Sequence, residues 1–214
     1  MAQTMTRGFR IRALVSAAVL AATATPGWSQ ELPALFRVTD VAGNDVLNVR
    51  AEPDAGAELL NALAPDAVHV EVTELSADGR WGRVNMGERS GWASMRYLAA
   101  EPGPAWHELQ TPLSCYGTEP FWSFDFQPAG AKIAFRTMEG AKLDFTADWV
   151  APASGRNGVI GMRLSGQETT GFSVFRAVSC NDGMSDRVMG LAVEVFFSGP
   201  DGRRGYSGCC TLAP

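Results

Sequence analysis

Histidine is scarce: His69 and His107 are the only two in 214 residues. Two imidazoles leave too few ligands for most hydrolytic zinc sites, and few candidates for a histidine general base. No cysteine precedes Cys115, so no histidine lies downstream of a thiol, the order a cysteine peptidase needs. No Gly-x-Ser-x-Gly elbow occurs. The glycine-rich stretches flank turns and not a strand-to-helix junction, so no nucleotide loop is present. A serine–lysine pair using Lys132 or Lys142 has no motif behind it. Beyond residue 30 no apolar pattern recurs at i, i+3, i+4 and i+7, and no internal repeat is evident. These absences lead us to expect a protein that is not an enzyme and takes no cofactor and no metal.

What is present begins with an export signal. Arg7, Arg10 and Arg12 form a basic start with no acid before Glu31. Residues 13–22 (ALVSAAVLAA) are apolar, and Ala22-Thr23-Ala24 offers a small-residue cleavage site. The apolar run is half of what a spanning helix needs. The start has no Arg-Arg pair and no cysteine follows, which argues against twin-arginine export and a lipid anchor. Residues 1–30 therefore read as a Sec-type signal peptide cut between 24 and 30. The expected location is periplasmic or secreted, with no transmembrane segment after cleavage.

Hydrophobic residues make up 46% of the chain and charged residues 19%, a globular balance. Removing three Arg and no acid takes the net charge from −5 to −8. Residues 31–114 carry −7 and residues 115–214 carry −1. That balance disfavours nucleic acid and anionic lipid and would tolerate or favour a cationic partner, with plain solubility the alternative.

An even cysteine count in an exported chain reads as two disulfides. Cys209 and Cys210 are adjacent, and neighbours in a strand point to opposite faces. Cys115 and Cys180 are each expected to take one of them, with the pairing left open.

Period-2 alternation is common, as at Val68, Val70 and Val72 against His69, Glu71 and Thr73, at residues 47–50 and at residues 191–197. Gly, Asp, Asn and Pro turns separate these runs, the pattern of small barrels or sandwiches. Glu101-Pro102-Gly103-Pro104 interrupts regular structure. The expected organisation is all-β: a domain over 31–100, a linker over 101–114, and a disulfide-stapled antiparallel barrel or sandwich over 115–214.

Leu47-Asn48-Val49-Arg50 followed by Pro53, then Leu63-Ala64-Pro65-Asp66-Ala67, Gly79-Arg80-Trp81-Gly82-Arg83-Val84, Ser90-Gly91-Trp92-Ala93 and Arg96-Tyr97-Leu98 occur in this order. In these pieces residues 36–98 resemble a bacterial SH3-like (SH3b-type) domain of exported cell-wall proteins. The resemblance implies a small barrel that binds peptidoglycan or its stem peptides. Leu47 and Val49 would enter the core, and Gly91 would let the chain turn before Trp92. Trp81, Trp92 and Tyr97 are aromatic candidates for a binding groove, with core packing the alternative. Arg50 could pair a ligand carboxylate, and Asn48 could join it or satisfy a turn. His69 reads as a solvated strand position.

The second half opens on Cys115-Tyr116-Gly117-Thr118-Glu119-Pro120-Phe121-Trp122 and later carries Cys180-Asn181-Asp182-Gly183-Met184-Ser185-Asp186-Arg187. The Gly-Thr-Glu-Pro-Phe-Trp and Asp-Gly-Met-Ser-Asp motifs resemble a family of bacterial envelope proteins of uncharacterised activity. The layout is also similar to small exported β-barrels, periplasmic lysozyme inhibitors among them. Asp182, Ser185 and Asp186 supply fewer oxygens than calcium's usual six to eight. Glu119 with Asp182 or Asp186 would be the carboxylate pair of a hydrolase. Glu119, Trp122, Asp182, Ser185, Asp186 and Arg187 could instead rim a binding surface. Otherwise they form a turn beside Cys180, with Trp122 in the core.

The expectation is an exported envelope binding protein whose partner is peptidoglycan, a wall peptide or an envelope protein. The alternative is an inhibitor or scavenger that captures a cationic protein such as a lysozyme. A carboxylate-dependent hydrolase comes last.

Overall fold

A computed structural model describes Met1, residues 31–156 and residues 158–212. The expected export signal, residues 1–30, lies outside the described residues apart from Met1. The described chain is all-β, in two parts. The first is a seven-stranded sheet formed by β1 (Ala34–Val38), β2 (Leu47–Arg50), β3 (Leu59–Leu63), β4 (Val70–Leu75), β5 (Trp81–Met86), β6 (Arg89–Ser94) and β7 (Leu98–Ala100). Its strand order is β3-β2-β6-β5-β4-β1-β7, and every pairing is antiparallel.

The alternation in the sequence sets the face of each strand. Leu47 and Val49 are buried, as are Val70, Val72, Val84 and Ala93, and together they close one core. Two expectations shift. The strand begins at Val70, two residues later than the alternation from Val68 suggested, because His69 takes a left-handed backbone (φ 56°) and leaves Val68 exposed. Gly91 does not turn the chain; it lies inside β6, where a Cβ would come within 2.6 Å of Val49 Cγ1 and 2.9 Å of the Arg50 carbonyl. Its role is close packing against β2.

The second part is a closed, disulfide-stapled antiparallel barrel. Its strands are β8 (Leu113–Thr118), β9 (Phe121–Gln127), β10 (Lys132–Thr137), β11 (Lys142–Pro152), β12 (Val159–Ser165), β13 (Thr170–Cys180), β14 (Met189–Gly199) and β15 (Gly202–Leu212). Each strand pairs with the next in sequence, and β15 returns to pair with β8. Eight strands enclose just enough room for side chains. Here Phe124, Phe135, Phe145, Phe175 and Phe197 fill it with Met162, Leu164, Leu191, Val193 and Val195. The interior is packed core.

Cys115 bonds Cys210, its cross-strand neighbour on β15, and Cys180 bonds Cys209. Opposite orientation of adjacent strand residues thus sends one thiol to each partner. Among the described residues no helix is long and apolar enough to cross a membrane.

The two parts are joined by specific contacts. Asn85 accepts from the Val188 N–H and donates to the Val188 carbonyl, each at 3.1 Å. Arg89 and Asp186 form a short parallel bridge, with Ser90 N–H on the Asp186 carbonyl and Asp186 N–H on the Glu88 carbonyl. Leu35 packs on the barrel core, and Glu71 of β4 reaches the end of β15.

Candidate functional site

Where β1, β7 and the segment after it meet the barrel, a cleft of about 1290 Å³ opens. Both histidines line it. The left-handed turn at His69 points the backbone N–H and the ring at one carboxylate. Glu101 accepts the His69 N–H at 2.8 Å and lies 2.8 Å from His69 Nδ1. Glu101 is itself held by its own N–H on the Leu35 carbonyl. Across the cleft His107 Nδ1 lies 2.8 Å from Glu31 Oε2, without the alignment of a hydrogen bond.

Trp106 builds the floor. It is only 2% exposed and packs in the barrel core, anchoring the short 3-10 turn Trp106–Glu108. Glu108 accepts the Ala105 N–H at 3.0 Å and fixes the start of that turn. The Trp106 indole nitrogen has no partner among the described residues. Arg37 lines the cleft from β1 and has no carboxylate within ion-pair distance among the described residues. The walls therefore present carboxylates, imidazoles and one free guanidinium around proline and leucine surface. This mixture suits a ligand carrying both charges.

The residues singled out in the sheet domain fall elsewhere. Asn48 and Arg50 on β2, Trp81 on β5 and Trp92 on β6 share the face away from the core, by strand alternation and register. Arg50 spends one guanidinium nitrogen on the Ala57 carbonyl at 2.7 Å. Trp92 is 8% exposed and covered by the Arg83 guanidinium, 4.7 Å from the ring centre. One face of the ring is thus taken by Arg83, and little of the rest is exposed. Tyr97 packs against the sheet core from a 3-10 turn.

In the barrel, Trp122 is buried among Phe135 and Tyr206. Asp182 closes the loop after β13, accepting from the Met184 and Ser185 N–H groups and from the Ser185 hydroxyl. Burial pushes its carboxyl up, but these donors and the nearby Arg187 charge outweigh that and hold it below the usual carboxylate range. Asp186 uses its backbone to bridge to the sheet domain, and Arg187 lies 5.8 Å over the Tyr116 ring. Glu119 follows β8, next to Thr118, whose hydroxyl donates to the Asp182 carbonyl at 2.8 Å. The Asp182–Arg187 loop thus joins the domains.

Among the described residues no three His, Cys, Asp or Glu side chains converge as a metal would require. The histidine–carboxylate pairs were not legible in sequence, because Glu101 and Glu31 stand far from their partners along the chain. No protein-family model, curated protein or solved structure matches this chain.

Proposed function

We propose that the protein is an exported envelope binding protein that holds a short peptide of mixed charge, of the kind found in cell-wall stems, in the cleft between its domains. One observation carries the reading: both histidines, each beside a carboxylate, and an unpaired Arg37 face a single large cleft. A stem peptide carries free carboxylates and, on its diamino residue, an ammonium group. Arg37 suits the carboxylate end, by bidentate pairing. Glu31, with its partly exposed carboxylate, suits the ammonium. The volume exceeds what a drug-sized ligand fills, which favours an oligomer. Two disulfides fit an oxidising compartment such as the periplasm.

The test is calorimetric titration of the oxidised mature protein with soluble muropeptides prepared from peptidoglycan. Arg37 is exposed and makes no internal pair, so Arg37→Ala leaves the fold intact. It is expected to weaken binding roughly tenfold, the scale of a lost charged contact. Muropeptide binding that Arg37→Ala leaves unchanged places the ligand outside the cleft. No heat with any muropeptide removes the wall-peptide reading.

A further inference from the structure

The outer wall of the barrel carries a second feature that shares no lining residue with the cleft. Trp149, Arg163, Phe172, Phe196 and Gly205 are successive register partners across β11, β12, β13, β14 and β15. Register partners share a face, so these residues form one row across five strands. The row lies outside, because Phe175, Val193, Val195 and Phe197 on the same strands fill the interior. Its aromatic members are 49%, 40% and 55% exposed for Trp149, Phe172 and Phe196. Alternation of strand residues requires polar side chains here; three large rings on one exposed row break it.

Two glycines let these rings lie flat. A Cβ on Gly161 would meet Phe172 at 2.9 Å and Trp149 at 3.2 Å, and a Cβ on Gly205 would meet Phe196 at 3.0 Å. The result is a shallow groove of about 670 Å³ with Phe172 and Phe196 in its floor. Its rim carries Arg163, Arg203 and Arg204, and no acid lines it. Arg163 makes only a loose 3.8 Å contact with Asp148. Among the described residues, Arg203 and Arg204 have no carboxylate within ion-pair distance. By register Arg163 and Arg203 stand on the face of the rings, while Arg204, the partner of the inward Phe197, borders the groove from the neighbouring position of β15. Such unneutralised cations stand out on a chain that is acidic overall.

We infer that this groove is a docking site for an acidic segment of another protein, one that carries an apolar or aromatic side chain between its carboxylates. Aromatic and arginine side chains are the groups that dominate protein–protein contacts. The unpaired guanidiniums match carboxylates in both charge and geometry. A bilayer would call for protruding rings, whereas these lie flat against the sheet. A neutral glycan would leave the arginines without partners.

The experiment selects binders from a bead-displayed library of random heptapeptides, using the oxidised mature protein. Recovered peptides are expected to be rich in Asp and Glu with an interleaved Phe, Trp or Leu. Their affinity should fall at least about tenfold in the double variant Arg203→Glu, Arg204→Glu, and should fall with added salt. Phe196→Ala, on an exposed position, should weaken the same peptides while the unfolding midpoint holds. Neutral or basic consensus peptides would overturn the inference, as would binders indifferent to both variants. Binding to phosphatidylglycerol vesicles with no peptide selected would overturn it in favour of a lipid surface. Concentration-dependent self-association lost in the double variant would do so in favour of a second copy.

Discussion

Glu71 is the group whose titration the fold perturbs most usefully. Its carboxylate accepts the Thr211 hydroxyl and, at 3.1 Å, the Leu212 N–H, so that β4 of the sheet domain grips the last strand of the barrel. Burial raises its pKa from about 4.5 to about 7, against the lowering effect of those two donors and of the Arg187 charge. The folded state therefore holds a proton that the unfolded chain has released between those two values. Stability from this group is fully present below about pH 4.5 and is lost as pH rises through about 7. Each pH unit between the two is worth about 1.4 kcal/mol, an upper bound of about 3.5 kcal/mol. Because the residue as a whole is only half-buried, an effect of about 1 to 3 kcal/mol is the working range. Glu71→Gln mimics the protonated form. Urea unfolding of the oxidised protein at pH 5 and pH 8 should show the variant close to wild type at the lower pH. At pH 8 it should be more stable by that amount. Equal pH dependence in the two proteins, or a variant less stable at pH 8, would refute the reasoning.

Two further outcomes follow from the barrel. Replacing Cys180 and Cys209 together by Ser opens a disulfide with a sequence separation of 29, and is expected to cost about 3 to 4 kcal/mol in urea unfolding; a loss below about 1 kcal/mol would contradict the chain-entropy estimate. Gly208→Ala and Gly205→Ala should differ sharply. A Cβ at Gly208 would lie 2.2 Å from the Tyr116 carbonyl oxygen and 2.7 Å from the buried Trp122 ring, whereas one at Gly205 meets only the exposed Phe196 ring at 3.0 Å. The first should destabilise by about 3 kcal/mol or more through backbone displacement, and the second by less than about 1 kcal/mol. Equal losses would show that the close approach at Gly208 is not a constraint.

Much of the fold was legible because strand alternation is a local signal. Leu47 and Val49, and residues 191–197, go where their period-2 pattern sends them, and the adjacent Cys209 and Cys210 part to two partners as strand geometry requires. The site was far less legible. The pairings in the cleft, His69 with Glu101 and His107 with Glu31, join residues far apart along the chain, and the first depends on one left-handed residue. Single exposed aromatics such as Trp149, Phe172 and Phe196 carry no signal in sequence; only the register of four strands lines them up. Residues that stood out by motif, such as Asp182, Asp186 and Trp122, hold a loop, a domain junction and the barrel core.

The central claim, that the cleft between the two parts holds a wall peptide, is met most directly by co-sedimentation of the oxidised protein lacking residues 1–30 with purified peptidoglycan sacculi, wild type beside Arg37→Glu. Wild type should pellet, and the charge-reversed variant, with an unchanged unfolding midpoint, should remain largely in the supernatant. A variant that pellets as fully as wild type, or a wild type that stays in solution, would contradict it.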